Sequence, residues 1–243
     1  MKELLPSFST ARSLCFATIL TLQCGCQHTA PYTPPPAKVV AFGDSITRGY
    51  NLPVGVGWVD LLAADWHRAG RNTLIFNAGS NGNTSTEGRH RLDSEVLNHL
   101  PGLVLVEFGG NDVVEGARNV TVDDFERNLL AIHEAVVARG GETVLLTFPP
   151  IIDDWHIAGK SPYFLQRGGL DREVEHYRQR TREVAQRLGL PLFDLDHLLR
   201  DLIKIRGPEA YINRDGVHLT AEGNRVVADA IEKFIADRPQ ISR

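Results

Sequence analysis

The sequence predicts an α/β fold in which a parallel sheet is covered by helices on both faces. Short apolar, β-prone runs alternate with longer amphipathic stretches from Lys38 to the C-terminal region, as in chains of βαβ units. Three of those runs end abruptly in small or polar residues: Gly43-Asp44-Ser45, Asn77-Ala78-Gly79 and Gly109-Gly110-Asn111. Ligands of open α/β sheets bind at the carboxyl ends of the strands, where such residues let a backbone approach them. With 243 residues, 42% hydrophobic and 23% charged, the chain has enough material for one domain with a real core.

The elements follow in order. Residues 38–43, apolar from Val39 to Phe42 and ended by Gly43, read as a buried strand. Further strands are expected at 73–77, 103–108, 143–148 and 191–194, with helices near 57–69, 86–99, 122–139, 171–188 and 220–236. The helix at 122–139 has the clearest period, with Phe125, Leu129, Ile132 and Val136 on one face. Thr121 and Asp124 give it a capping-type start, and Gly140-Gly141 stops it. One connection breaks the rhythm. Residues 149–170 form a long loop containing Trp155, His156, Tyr163 and Phe164. Loops of that length are usually functional or disordered; aromatics suit a substrate wall, and a plain surface loop is the other reading.

The N-terminal region has a different character. Lys2 and Arg12 precede an apolar run from Leu14 to Leu22, too short to span a bilayer comfortably but suited to an export signal over residues 1–26. Cys26 follows Gly25 as in a lipoprotein signal, although Gln23 stands where an aliphatic residue is usual. Lipid on Cys26 would tie an exported protein to the cell envelope. Residues 27–37 are a Pro-rich linker, and the domain is expected over 38–243. All three cysteines lie at or before residue 26, so the domain has no disulfide, thiolate metal site or cysteine nucleophile. A net charge of -4 gives no basic footprint for nucleic acid.

Ser45, at the end of the first strand, is either a helix cap or a nucleophile. A nucleophilic serine needs a base and a third group to orient it. Asp215-Gly216-Val217-His218 offers both, because an aspartate three residues before a histidine can hold one ring nitrogen and leave the other free. The spacing alone is weak: Asp153/His156 and Asp194/His197 share it. His156, however, sits in the long loop, where it bears on substrate affinity, and His197 lies near an expected helix start, where Asp194 or Asp196 is more naturally a cap. Asp215/His218 is preferred for its place before the last helix, where the chain can return to the strand ends.

Taken together, these blocks resemble the SGNH hydrolases, also called the GDSL lipase/acylhydrolase family, over roughly residues 38–236. Gly43-Asp44-Ser45 is similar to the family's nucleophile block, Asn77 to Thr84 to its second, Gly109-Gly110-Asn111-Asp112 to its third, and Asp215 with His218 to its last. The layout is most similar to the thioesterase I/arylesterase/lysophospholipase branch. The resemblance implies a flavodoxin-like three-layer α/β/α sandwich with a five-stranded parallel sheet. It implies a serine esterase that forms an acyl-enzyme on Ser45, with His218 as base and Asp215 orienting it. The backbone amides of Ser45 and Gly82 and the Asn111 side chain would bind the oxyanion. Neither metal nor organic cofactor is required, and the partner is a small-molecule or lipid ester, with thioesters and lysophospholipids in range. Three departures stand out: Ile46-Thr47 follows the serine in the first block, the second block reads Ser80-Asn81-Gly82-Asn83 where that branch often has Ile-Ser-Gly-Asp, and the 149–170 loop is long. The resemblance also explains an absence, since Thr47 in the final glycine's place removes any Gly-x-Ser-x-Gly elbow of the α/β-hydrolases. The rivals are a carbohydrate O-acetylesterase on the same scaffold and a non-catalytic exported envelope module.

Overall fold

A computed structural model describes Met1 and residues 36–237. The proposed export signal, Cys26 and the Pro-rich segment up to residue 35 lie outside the described residues. Five strands form one parallel sheet: β1 Lys38–Gly43, β2 Leu74–Gly79, β3 Leu103–Glu107, β4 Glu142–Leu146 and β5 Leu192–Phe193. Their order is β2-β1-β3-β4-β5, and every pairing is parallel. This is the flavodoxin-like order, with its reversal between β1 and β3.

The helices are α1 Ser45–Arg48, α2 Trp58–Arg68, α3 Ser85–Glu95, α4 Val122–Ala138, α5 Pro162–Leu165, α6 Leu170–Leu188, α7 Leu195–Arg206 and α8 Ala221–Asp237. The step from β1 to β2 runs opposite to the later steps across the sheet. With right-handed crossovers, α2 therefore covers one face while α3, α4 and α6 cover the other. The packing agrees: α2 lies against α8, and α4 against both α3 and α6. Among the described residues no helix is long and apolar enough to cross a membrane.

The central strands are covered on both faces, so they read as continuous apolar runs. Val39 to Phe42 in β1 and Leu103 to Val106 in β3 are all buried. The edge strand β2 is only partly buried, which suits its mixed sequence. Strand bounds fall within two residues of the expected ones. The helix expected at 86–99 breaks at Val96, and residues 97–99 form a separate 3-10 turn. Thr121 caps α4 as expected, accepting a hydrogen bond from the Asp124 amide.

A helix start capped by Asp194 or Asp196 was expected near His197; it is the start of α7, whose full extent was not among the expected helices. Its residue pattern does carry a helical signal: Leu195 and Leu199 are buried, Leu198, Leu202 and Ile203 are partly buried against the core, and Asp194 caps the start by accepting from the His197 amide. The 149–170 loop also gains local structure. It holds a 3-10 turn at Ala158–Lys160 and the short α5, which starts at Pro162 behind a Ser161 cap. The fully buried Arg178 of α6 fastens the loop's start, donating to the carbonyls of Phe148 (3.0 Å) and Pro149 (2.7 Å) and pairing with Asp171 (2.7 Å).

Candidate active site

Ser45 stands one residue beyond a capped helix start. The N-cap of α1 is Asp44, not Ser45: the Asp44 Oδ1 accepts from the Ile46 amide at 2.9 Å. The capping reading of Ser45 is therefore replaced, and its hydroxyl is left for other partners. Ser45 is 8% exposed, low enough to be shielded and high enough to be reached. Neither its backbone amide nor that of Gly82 has a hydrogen-bond partner among the described residues.

The C-terminal loop brings the base. Ile212 and Leu219 form an antiparallel bridge, and the Asn213 amide donates to the His218 carbonyl at 2.7 Å, closing the turn between them. Within that turn Asp215 Oδ1 accepts from the amides of Val217 and His218, each at 3.0 Å. Its Oδ2 lies 2.7 Å from His218 Nδ1, and His218 Nε2 lies 2.9 Å from Ser45 Oγ. The carboxylate thus holds Nδ1 as the protonated nitrogen and leaves Nε2 to accept the serine proton. Burial works to raise the Asp215 pKa, but the two amides and the imidazole overcome it and hold the carboxyl below its ordinary value. Asp215 therefore stays charged beside the ring.

The long loop is clamped onto this turn. The Ile152 amide donates to the Gly216 carbonyl at 2.8 Å. Gly216 has φ +82°, and a Cβ there would come within 2.7 Å of the His156 amide nitrogen and the Ile152 carbonyl oxygen. Only glycine fits both the backbone region and the space.

Asn111 and Gly82 occupy the neighbouring strand ends. Asn111 Nδ2 donates to Asp44 Oδ2 (2.9 Å) and to the Asn83 carbonyl (3.2 Å), so both amide hydrogens already have partners. Gly82 sits in the turn closed by the Asn83 amide on the Ser80 carbonyl, at φ +71°, a conformation that explains glycine at this position.

Several functional neighbours escaped the sequence reading. Asp44, Glu107 and Asp112 are three carboxyls buried beneath the site. Burial first, then the adjacent Glu107, raises the Asp44 pKa well above the usual range. Burial pushes Glu107 up to about 7, against a 3.0 Å hydrogen bond from the Thr47 hydroxyl, and Asp112 up to about 6, against hydrogen bonds from Ser85. A lone glutamate ending the apolar run Leu103 to Val106 was the available signal for Glu107.

His156 was set aside as a decoy for the base, and it does not hold that place. It nonetheless lines a cavity of about 320 Å³ together with Ser45, Asn111 and His218. Its Nδ1 accepts from the Ala158 amide at 3.1 Å, which puts the proton of the neutral ring on Nε2. The remaining walls are mostly apolar, among them Val113, Phe148, Ile151, Phe164 and Leu170. The 149–170 loop is thus a wall of the site, through Ile151, His156 and Phe164. Trp155 instead stacks under Arg214, 4.4 Å from the guanidinium, and Tyr163 under Arg167 at 3.8 Å.

Comparison with known proteins places these observations in context. The model of the GDSL-like lipase/acylhydrolase family matches residues 41–226. The chain is 33% identical to an uncharacterized lipoprotein, YqeF, of Bacillus subtilis, over 80% of this chain and 87% of that one. It is 34% identical to the thioesterase 1/protease 1/lysophospholipase L1 of Escherichia coli, over 44% of this chain and 49% of the relative. The crystal structure of the acetyl xylan esterase AlAXEase, 27% identical, superposes with a TM-score of 0.67 over 81% of this chain and 98% of that one.

Proposed function

Because the chain belongs to the GDSL-like lipase/acylhydrolase family and is a carboxylic ester hydrolase of that type, we propose that it cleaves acyl esters through a covalent acyl-enzyme on Ser45. The observation that carries this reading is the unbroken line Asp215–His218–Ser45, with links of 2.7 and 2.9 Å. His218 Nε2 takes the hydroxyl proton as Ser45 Oγ attacks the ester carbonyl. The tetrahedral intermediate carries its negative charge on the former carbonyl oxygen. The unpartnered amides of Ser45 and Gly82 supply two donors for it. Asn111 supplies the third by exchanging its longer bond, to the Asn83 carbonyl, for the oxyanion, while Asp44 keeps the other amide hydrogen in place. His218 then returns its proton to the departing alcohol, and water hydrolyses the acyl-enzyme by the same steps in reverse roles.

The mostly apolar cavity beside Ser45 takes the acyl chain. One water occupies about 30 Å³ of liquid, so a space of about 320 Å³ far exceeds what an acetyl methyl fills. A ladder of p-nitrophenyl esters of increasing acyl length tests this. Each methylene buried stabilises by about 0.8 kcal/mol, so kcat/KM should rise about fourfold per carbon until the cavity is full, then fall. The second reading, a carbohydrate O-acetylesterase, draws on the likeness to the acetyl xylan esterase; acetyl esters outpacing all longer ones would select it.

The lipoprotein relative and Cys26 together support export and attachment to the envelope through a lipid on Cys26. Membrane-fractionated protein that becomes soluble on Cys26→Ser is the expected result, and a soluble wild-type product cleaved beyond Cys26 would contradict it.

A further inference from the structure

A second cavity, of about 450 Å³, opens between the loop 49–57 and the end of β2. Its lining is mixed, with the polar Arg48, Tyr50, Asn51, Asp60, Asn77 and Asn81 beside Leu52, Pro53 and Val54. We propose that this cavity is the alcohol subsite of the esterase and that it takes an uncharged polyhydroxylated leaving group, a glyceryl or glycosyl unit. The inference rests on the esterase reading above and adds the class of alcohol.

Position is the first argument. Helix α1 carries the nucleophile at its start and Arg48 at its end. The next residue but one, Tyr50, donates its backbone amide to the Ser45 carbonyl at 3.1 Å. The Tyr50 ring lies against the His218 ring, with centroids 4.4 Å apart and planes tilted by 39°. Tyr50 is therefore the wall shared by the catalytic histidine and this second cavity. The leaving oxygen must sit at His218 Nε2 to receive its proton. With the acyl chain in the apolar cavity, the alcohol is directed past the other side of His218, over Tyr50.

Unused hydrogen-bonding capacity is the second argument. The Arg48 guanidinium, the Tyr50 hydroxyl and the side-chain amides of Asn51 and Asn81 have no hydrogen-bond or ion-pair partner among the described residues. Asp60 and Asn77 are held in place instead: Asp60 Oδ2 accepts from the Gly55 amide (3.1 Å) and Asn77 Oδ1 from the Gly79 amide (3.0 Å). That leaves one carboxylate oxygen and one amide NH2 facing no protein partner. The backbone of Arg48 is fixed as well, because a Cβ on Gly79 would come within 2.3 Å of its nitrogen.

Charge is the third. One cation and one carboxylate face the same space, so the cavity carries no net charge to select an anionic head group. Vicinal hydroxyls, which donate and accept at once, match such a mixed set, and the face of Tyr50 suits the C–H surface of a polyol.

The test compares four esters with one common acyl chain: ethyl, monoglyceryl, glucosyl and glycerophosphoryl. The readout is the ratio of kcat/KM for each polyol ester to that for the ethyl ester, in the wild type, Arg48→Gln and Asn81→Ala. Both substituted side chains lie on the surface without protein partners, so folding is preserved. The proposal expects a ratio well above one in the wild type and a drop of about tenfold in Arg48→Gln, expressed mainly in KM, since it loses a charge-assisted hydrogen bond. Whichever ratio drops, glyceryl or glucosyl, identifies the source of the polyol. Ratios near one in the wild type, ratios unmoved by both substitutions, or a glycerophosphoryl ester preferred over the glyceryl one would overturn it while the esterase stands. A wild type that hydrolyses none of the four removes the esterase reading and this subsite together.

Discussion

Two places in this chain build almost the same local structure from the same spacing. Asp194 accepts from the His197 amide at 3.1 Å and lies 3.1 Å from His197 Nδ1. Asp215 accepts from the His218 amide at 3.0 Å and lies 2.7 Å from His218 Nδ1. In both, an aspartate three residues ahead of a histidine satisfies a backbone amide and then meets the ring. The surroundings part them. His197 is 67% exposed at the start of α7, and its aspartate is also bound by Arg182. His218 is 17% exposed, and its second nitrogen faces Ser45. The local motif is a cap; what sets one copy against Ser45, and fits it for the proposed catalytic role, is the sheet edge across from it.

Breaking each copy should separate them by orders of magnitude. His218→Ala should lower kcat/KM roughly 10⁴-fold or more, and adding Ser45→Ala should cost little further, because the two act as one unit. His197→Ala should stay within about twofold of wild type. Steady-state kinetics on one p-nitrophenyl ester checks all three. Asp215→Asn should cost less, roughly 10²- to 10⁴-fold, since the base remains while its orientation and charge support are lost. Asp194→Ala should leave kcat unchanged but lower stability by about 1–3 kcal/mol in chemical denaturation, through loss of the α7 cap and of a partner for Arg182.

The interior of each turn offers a finer test. Gly216 lies at φ +82° against the 149–170 loop, whereas the equivalent Leu195 is helical. Gly216→Ala should displace the turn or the loop and lower kcat about tenfold, with far-UV circular dichroism unchanged.

Buried carboxyls lie near both places, but Asp196 beside His197 is paired with Arg182 and Arg200, whereas Asp44, Glu107 and Asp112 beneath Ser45 have no ion-pair partner among the described residues. Glu107 is raised to about 7 in the fold, against about 4.3 for an unfolded glutamate. Folding therefore takes up a proton between those values, so the contribution of Glu107 to stability is full below about pH 4.3 and is lost as pH rises through about 7. Wild-type Tm should fall relative to that of Glu107→Gln as pH rises from about 4.5 to 7.5, an effect on the order of 1–3 kcal/mol. A constant difference would mean that Glu107 is ionised throughout.

Much of this was legible in the residues. Strand β1 showed itself because both of its faces are buried, leaving an unbroken apolar run ended by Gly43. That Ser45, His218 and Asp215 would come together could be anticipated because a nucleophile, a base and an orienting group need particular residue types at strand ends. The start of α7 could be read from its aspartate cap near His197, but the helix was not delimited although the spacing of Leu195, Leu198, Leu199 and Leu202 announced it; the short β5 left no room for a clear boundary. His156 could be tied to substrate affinity by its place in the long loop but not to its neighbours, and Tyr50 could not be read at all. Each depends on a contact between distant segments, His156 through the Gly216 clamp and Tyr50 through the His218 ring. The double engagement of Asn111 is likewise a tertiary fact, set by where Asp44 and Asn83 come to rest.

The most direct test of the account is covalent labelling by a fluorophosphonate, followed by peptide mapping and by the rate of labelling in each histidine variant. The account predicts a single adduct on Ser45, formed at the wild-type rate in His197→Ala and slower by orders of magnitude in His218→Ala. An adduct on another serine, or labelling of Ser45 that is as fast without His218 as with it, would contradict the assignment of Asp215–His218 as the pair that activates Ser45.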